Sequence, residues 1–174
     1  MNKIIVIGSS GSGKSTLSRQ LSNILNIPVY HLDVLFWKPN WVMTTKDEQI
    51  DIQNSLLEKS YWIIDGNYTG IMEDRLQLAD TIVFLNLPRR ICYFRVFKRL
   101  FKNMGKTRPD MGNDCKERVT FTFLKYIWNY PKYRKPFLLD KFRKMEKEKK
   151  IFVLNSIKEI NDFKTNLKQD NGSR

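Results

Sequence analysis

Five short apolar runs punctuate the chain: residues 3–7 (KIIVI), 28–33 (PVYHLD), 61–66 (YWIIDG), 81–87 (TIVFLNL) and 150–156 (KIFVLNS). Brief and rich in branched side chains, they suit strands buried on both faces of a parallel sheet. The segments between them switch to helical spacing. Leu17, Leu21, Ile24 and Leu25 recur within 14–25 before Pro28 stops the helix, and Ile50, Ile52, Leu56 and Leu57 mark another ahead of the third run. Two more helices are predicted between the fourth and fifth runs, separated by a loop at 104–114 (MGKTRPDMGND) whose Gly, Pro, Asn and Asp content interrupts regular structure. Strands alternating with helices predict an α/β fold, a doubly wound five-stranded parallel sheet with helices on both faces and ligands at the carboxyl ends of its strands. Asp33, Asp65 and the glycine-rich stretch after residue 7 all fall at such ends. Residues 1–168 read as one domain and 169–174 as a flexible tail.

The stretch 6–16 (VIGSSGSGKST) carries the sharpest chemical signal. Gly8, Gly13, Lys14 and Ser15 fit the G-x-x-x-x-G-K-[ST] spacing of a phosphate-binding loop, with the required strand before and helix after. Four such fixed positions arise by chance in a chain of this length roughly once in a hundred or fewer. Backbone N–H groups across Gly8, Ser9, Ser10, Gly11, Ser12, Gly13, Lys14, Ser15 and Thr16 would cradle the phosphates of ATP at the positive end of a helix. Lys14 would reach the outer phosphates, and Ser15 would ligate Mg2+. Asp65 closes an apolar strand, which is where such a protein places the carboxylate that holds magnesium through water.

Composition narrows the class without altering this reading. At 41% apolar and 28% charged, the chain is ordinary for a globular domain. Cys92 and Cys115 make no disulfide framework or zinc spacing and read as free thiols of a reducing cytoplasm. The short apolar run at the start is no signal peptide, and nothing approaches the roughly 18 apolar residues of a membrane span. A cytoplasmic protein without a membrane partner is expected. The net charge of +13 is local: residues 89–150 hold 20 Lys plus Arg against 6 Asp plus Glu, and the remainder 11 against 12. Such a block can attract nucleic acid, an acidic membrane or a small polyphosphate.

Taken together, GSSGSGKS, HLDVLFWKPNW, WIIDGNY, LNLPRRICYFRVFKR and RPDM span most of residues 3–140. They resemble the adenylate-kinase-related P-loop kinases, specifically the bacterial DNA topology modulation (FlaR-like) group. The resemblance implies a P-loop NTPase fold like that of nucleoside monophosphate kinases, with an acceptor flap near 33–60 and a lid near 99–118. In adenylate kinases an arginine seven residues after the proline closing the fourth strand lies over adenine, and another four residues on meets phosphate. Counted from Pro88, these are Arg95 and Arg99, an i, i+4 pair on one helix face whose mutual repulsion a polyanion would reverse. Arg108 resembles a lid arginine closing over the transferring group, with Arg118 and Arg134 as weaker candidates for the same task.

The acceptor is left open at this level. Asp33 suits a base that takes the proton of a hydroxyl, whereas a nucleoside monophosphate needs none. Nucleotide kinases typically continue the third strand as D-G-F-P-R, with the arginine gripping the acceptor phosphate; here the residues are Asp65, Gly66, Asn67, Tyr68 and Thr69, with Arg75 as a substitute from the next helix. Phe36, Trp37 and Trp41 either stack an acceptor or pack beneath the flap, and His31 either orients Asp33 or satisfies itself. The expected activity is Mg2+-dependent transfer of the ATP γ-phosphate to a nucleotide-like or hydroxyl acceptor, with Lys14, Asp33, Arg95, Arg99 and Arg108 as the working side chains. The alternatives are an ATP-dependent nucleic-acid-associated regulator, for which 123–137 (FLKYIWNYPKYRKPF) interleaves rings and cations, or an NTPase using water. Nucleic acid is not favoured as a partner, and the oligomeric state, monomer or dimer, is open.

Overall fold

The computed structural model describes residues 1–172. All five apolar runs become strands of one parallel sheet: β1 (Lys3–Gly8), β2 (Val29–His31), β5 (Trp62–Asp65), β6 (Thr81–Leu85) and β7 (Lys150–Leu154), in the order β2-β5-β1-β6-β7. A two-stranded antiparallel ribbon, β3 (Trp37–Lys38) with β4 (Val42–Met43), lies apart from this sheet. The helices are α1 (Lys14–Leu25), α2 (Leu32–Phe36), α3 (Lys46–Leu57), α4 (Met72–Leu78), α5 (Arg89–Lys102), α6 (Phe121–Met145) and α7 (Ile157–Gly172). The ribbon, α2 and α4 are too short to announce themselves by periodicity. Helix α7 runs into the segment expected as a tail, of which residues 173 and 174 lie outside the described residues.

The alternation of Cβ directions along a strand divides the apolar residues between two layers. Ile5, Ile7, Trp62, Ile64, Ile82 and Phe84 face one side, where α2, α3, α4 and the C-terminal half of α6 pack through Phe36, Leu56, Leu76, Leu138 and Phe142. Ile4, Val6, Ile63, Val83 and Leu85 face the other, covered by Leu17 and Leu21 of α1 and Phe163 and Leu167 of α7. Both faces being dry explains why these strands read as unbroken apolar runs. Helices α5 and α6 share a smaller cluster of Leu87, Cys92, Val96 and Ile127. Both cysteines are buried and unpaired, as expected.

Two local features depart from expectation. Strand β2 ends at His31, and Asp33 sits in the first turn of α2 instead of closing the strand. Helix α6 runs unbroken through Pro131 and Pro136, although each proline removes a backbone donor. Ile127, Tyr130, Leu138 and Phe142, spread along the helix on either side of both prolines, are all buried, and tertiary packing overrides the local penalty.

Candidate active site

At the carboxyl edge of the sheet lies a cavity of about 1160 Å3. Its floor is the turn from β1 into α1, from which Ser10 through Thr16 line the space. Helix α1 begins after Gly13 without a side-chain cap, so its first amides are left for an anion. The glycines here do more than bend the chain. At Gly11 (φ 81°) a Cβ would sit 2.4 Å from the carbonyl oxygen of Cys92, so only glycine lets α5 rest directly on the loop. Lys14 Nζ donates to the carbonyl of Ser9 at 3.2 Å, across the loop it belongs to. Gly8 and Ser9 lie beneath the cavity surface. The side chain of Asn67 clasps Gly8 there, accepting from its N–H (3.3 Å) and donating to its carbonyl (2.9 Å), and also donates to the Tyr126 hydroxyl (2.8 Å).

Two carboxylates flank this floor in different settings. Asp33 lines the cavity and accepts a 2.8 Å hydrogen bond from the Tyr68 hydroxyl. Burial pushes its carboxyl above the usual value and the charge of Asp65 adds to this, against the Tyr68 bond and the charges of Lys14 and Arg108. The Tyr68 phenol is pushed well up by burial and by Asp33, so it remains a donor. Asp65, only 4% exposed, lies behind the cavity wall with Oδ2 at 2.8 Å from His31 Nδ1. The lone histidine therefore orients Asp65, not Asp33. Asp65 Oδ1 is buried without a hydrogen-bond partner. A buried acceptor of that kind calls for a donor; a water on a magnesium ion would supply one, so the position is compatible with the metal role expected of it.

The arginines separate into distinct jobs. Arg95 Nη1 donates to the Ser12 carbonyl at 2.7 Å, and Arg99 binds Glu117 at 3.0 Å through both Nε and Nη2. Arg108 meets the other oxygen of Glu117 at 2.5 Å and Asp110 at 2.9 Å. The repulsion expected of clustered cations is thus met by carboxylates from the expected lid segment, with Glu117 between two guanidiniums. Burial alone would raise the Asp110 carboxyl, but the Arg108 charge, aided by Ser15, holds it below the usual value. Arg118 lies over the Trp41 ring at 4.5 Å, and Arg134 donates to Thr69 at 3.0 Å away from the cavity lining.

Arg75 does not substitute for a phosphate clamp. Its side chain is fully buried and donates to the carbonyls of Gly66 (3.1 Å), Asn67 (3.1 Å) and Tyr68 (3.2 Å), holding the loop in which Tyr68 takes φ 29°. Phe36 is likewise interior, edge-on to Tyr68 with ring centroids 4.7 Å apart. Trp37 and Trp41 line the cavity, tilted against each other at 5.5 Å. The segments expected as flap and lid are joined over it. Trp41 Nε1 donates to the Lys116 carbonyl at 3.0 Å, Cys115 Sγ to that of Lys38 at 3.3 Å, and a Cβ on Gly112 would lie 1.9 Å from the Trp37 carbonyl oxygen. Of the site residues that sequence reasoning missed, Tyr68 and Asn67 were visible as the departure from D-G-F-P-R; Glu117 and Asp110 gave no signal beyond their charge.

The five-stranded parallel sheet, with the Gly8–Thr16 loop leading from β1 into α1, is a P-loop NTPase fold. Among solved structures, the chain is similar to a shikimate kinase from Acinetobacter baumannii in complex with shikimate, with TM-score 0.64 and 13% identity over 99% of this chain and 94% of that one. It is also similar to a gluconokinase from Sinorhizobium meliloti 1021 (TM-score 0.54, 14% identity, 99% and 92% covered) and to a deoxyadenosine kinase from M. mycoides (TM-score 0.50, 14% identity, 96% and 90% covered). No family model and no curated protein sequence matches the chain. At these identities the likeness establishes the fold.

Proposed function

We propose that this chain is a magnesium-dependent P-loop kinase that transfers the γ-phosphate of ATP to a hydroxyl group of a small acceptor. The observation that carries the reading is the Asp33–Tyr68 pair, held in the wall of the same cavity whose floor is the Ser10–Thr16 loop. A carboxylate with a raised pKa beside the phosphate loop suits a general base. Asp33 takes the acceptor's proton as its oxygen bonds to the γ-phosphorus, and the bond from that phosphorus to the bridging oxygen breaks, releasing ADP. Lys14 leaves the Ser9 carbonyl for the outer phosphates, and Arg95, Arg99 and Arg108 hold the transferring charge. Ser15 and Asp65 would hold magnesium, which when bound neutralises phosphate charge. The burial of Arg75 favours a hydroxyl over a phosphate as the attacking group, because the loop after β5 then presents no free guanidinium to an acceptor phosphate.

The same geometry is consistent with membership of the DNA topology modulation (FlaR-like) group, since HLDVLFWKPNW and WIIDGNY, the motifs that resemble that group most specifically, meet in space through His31–Asp65 and Asp33–Tyr68. Helix α6 buries Ile127, Tyr130, Leu138 and Phe142 but leaves Trp128, Tyr133 and Phe137 exposed, so the nucleic-acid alternative is decided by a filter-binding titration against salt, in which no binding at low ionic strength would eliminate it. The test is an ADP-release assay across nucleosides, sugars, other hydroxyl metabolites and nucleoside monophosphates. Lys14→Ala should abolish turnover, and Asp33→Asn should lose transfer while still binding Mg-ATP. Full turnover in Asp33→Asn, or activity confined to phosphate-group acceptors, would overturn the proposal.

A further inference from the structure

Helix α5 has two working faces. The inner one carries Cys92 and Val96, both fully buried, together with Arg95 and Arg99 at the cavity. Opposite them, Arg90, Phe94, Phe97, Lys98 and Phe101 recur at the three- and four-residue spacing that puts side chains on one helix face. That face is open: Phe94 is 67% exposed, Phe97 40% and Phe101 70%, with Met104 at 64% just past the helix end. Single exposed apolar residues are ordinary, but an aligned row of three phenylalanines and a methionine is a surface built to be covered.

Its charge says by what. Residues 89–109 contain eight Lys or Arg and no Asp or Glu. Arg95, Arg99 and Arg108 are engaged at the cavity, which Lys102 also lines; this leaves Arg89, Arg90, Lys98 and Lys106 exposed beside the aromatic row. Arg89 also stacks at 3.8 Å over Trp128, itself 54% exposed, extending the aromatic and cationic surface onto α6. A second copy of this chain packed on the same face would bring cations against cations with no acid to pair them. A single-stranded nucleic acid would want a groove to follow, and the cavity beside α5 is lined by Arg95, Arg99 and Lys102, not by this row.

We propose that the outer face of α5 docks on an anionic lipid bilayer, with Phe94, Phe97 and Phe101 entering the boundary between headgroups and acyl chains and the flanking lysines and arginines meeting lipid phosphates. A convex amphipathic helix with rings at its crest and cations beside them has the form of an interfacial anchor. The expectation of no membrane partner rested on the lack of a spanning segment, and an interfacial face needs none. Because α5 also carries Arg95 and Arg99, the docked surface adjoins the phosphate site without including it.

Sedimentation of the full chain with phosphatidylglycerol-containing vesicles tests this, against pure phosphatidylcholine vesicles and across a salt series. Binding should require the anionic lipid and weaken with salt. Phe94→Ser combined with Phe101→Ser should lower the partition coefficient on the order of tenfold or more, with thermal midpoint and Mg-ATP binding retained. Arg90→Glu with Lys98→Glu should do likewise and serves if the serine variant fails to fold. No sedimentation with anionic vesicles at low ionic strength overturns the proposal, as does binding that neither variant weakens. So does transfer of the phenylalanine dependence to a single-stranded oligonucleotide, or to a dimer seen by analytical ultracentrifugation, in place of vesicles.

Discussion

Replacing Arg75 with methionine separates its two readings. The guanidinium has no exposed surface, and burial pulls its pKa down to about 10, partly opposed by nearby acidic groups. Removing it orphans the carbonyls of Gly66, Asn67 and Tyr68, each costing about 1–3 kcal/mol when buried and unsatisfied. Release of the desolvated charge offsets part of this, so the net loss is about 3–5 kcal/mol, the range for breaking a buried charged interaction from one side. For a chain of this size each kcal/mol lowers Tm by about 2–4 °C, giving a drop of about 6–20 °C in calorimetry or circular dichroism. The loop also sets Tyr68, at φ 29°, against Asp33, so turnover measured below the new midpoint should fall as well. An Arg75→Met protein of unchanged Tm that loses only its affinity for a phosphorylated acceptor would refute the structural role and restore the clamp.

Two further outcomes follow from the site. Asp33 has its folded pKa raised above 3.8, chiefly by burial; its contribution to stability is present below that value and is lost as pH rises through the folded pKa. Asp33→Asn should therefore be more stable than the parent near neutrality, with the Tm difference opening upward from about pH 4 and then levelling, and a difference independent of pH would contradict this. Gly112→Ala must displace the Trp37 carbonyl, since its Cβ would come within 1.9 Å. It should part flap from lid and raise the acceptor KM several-fold while the ATP KM changes little; equal effects on both would show that the joint spans the whole site.

Much of the protein was legible in the chain because the signals are local. The apolar runs alternate with helical spacing since both faces of the sheet are dry, and the phosphate loop is contiguous from Gly8 to Thr16, so strand, turn and helix could be read off adjoining residues. The row of phenylalanines on α5 was also available to periodicity once a helix was placed there. Asp65 could be proposed for metal because its place at a strand end is itself a sequence property.

What the sequence could not determine was which polar groups are already spent. His31 and Asp65 are 34 residues apart and pair because β2 and β5 run in parallel register, and Asp33 meets Tyr68 across the same junction. Arg75 could serve as a phosphate ligand by type though not by spacing, yet three backbone carbonyls claim it. Glu117, unremarkable in the chain, lies between Arg99 and Arg108 once the segment after α5 folds back. A side chain's type fixes what it can bind, whereas hydrogen bonding and desolvation are satisfied between segments distant in sequence, and tertiary structure alone assigns those partners.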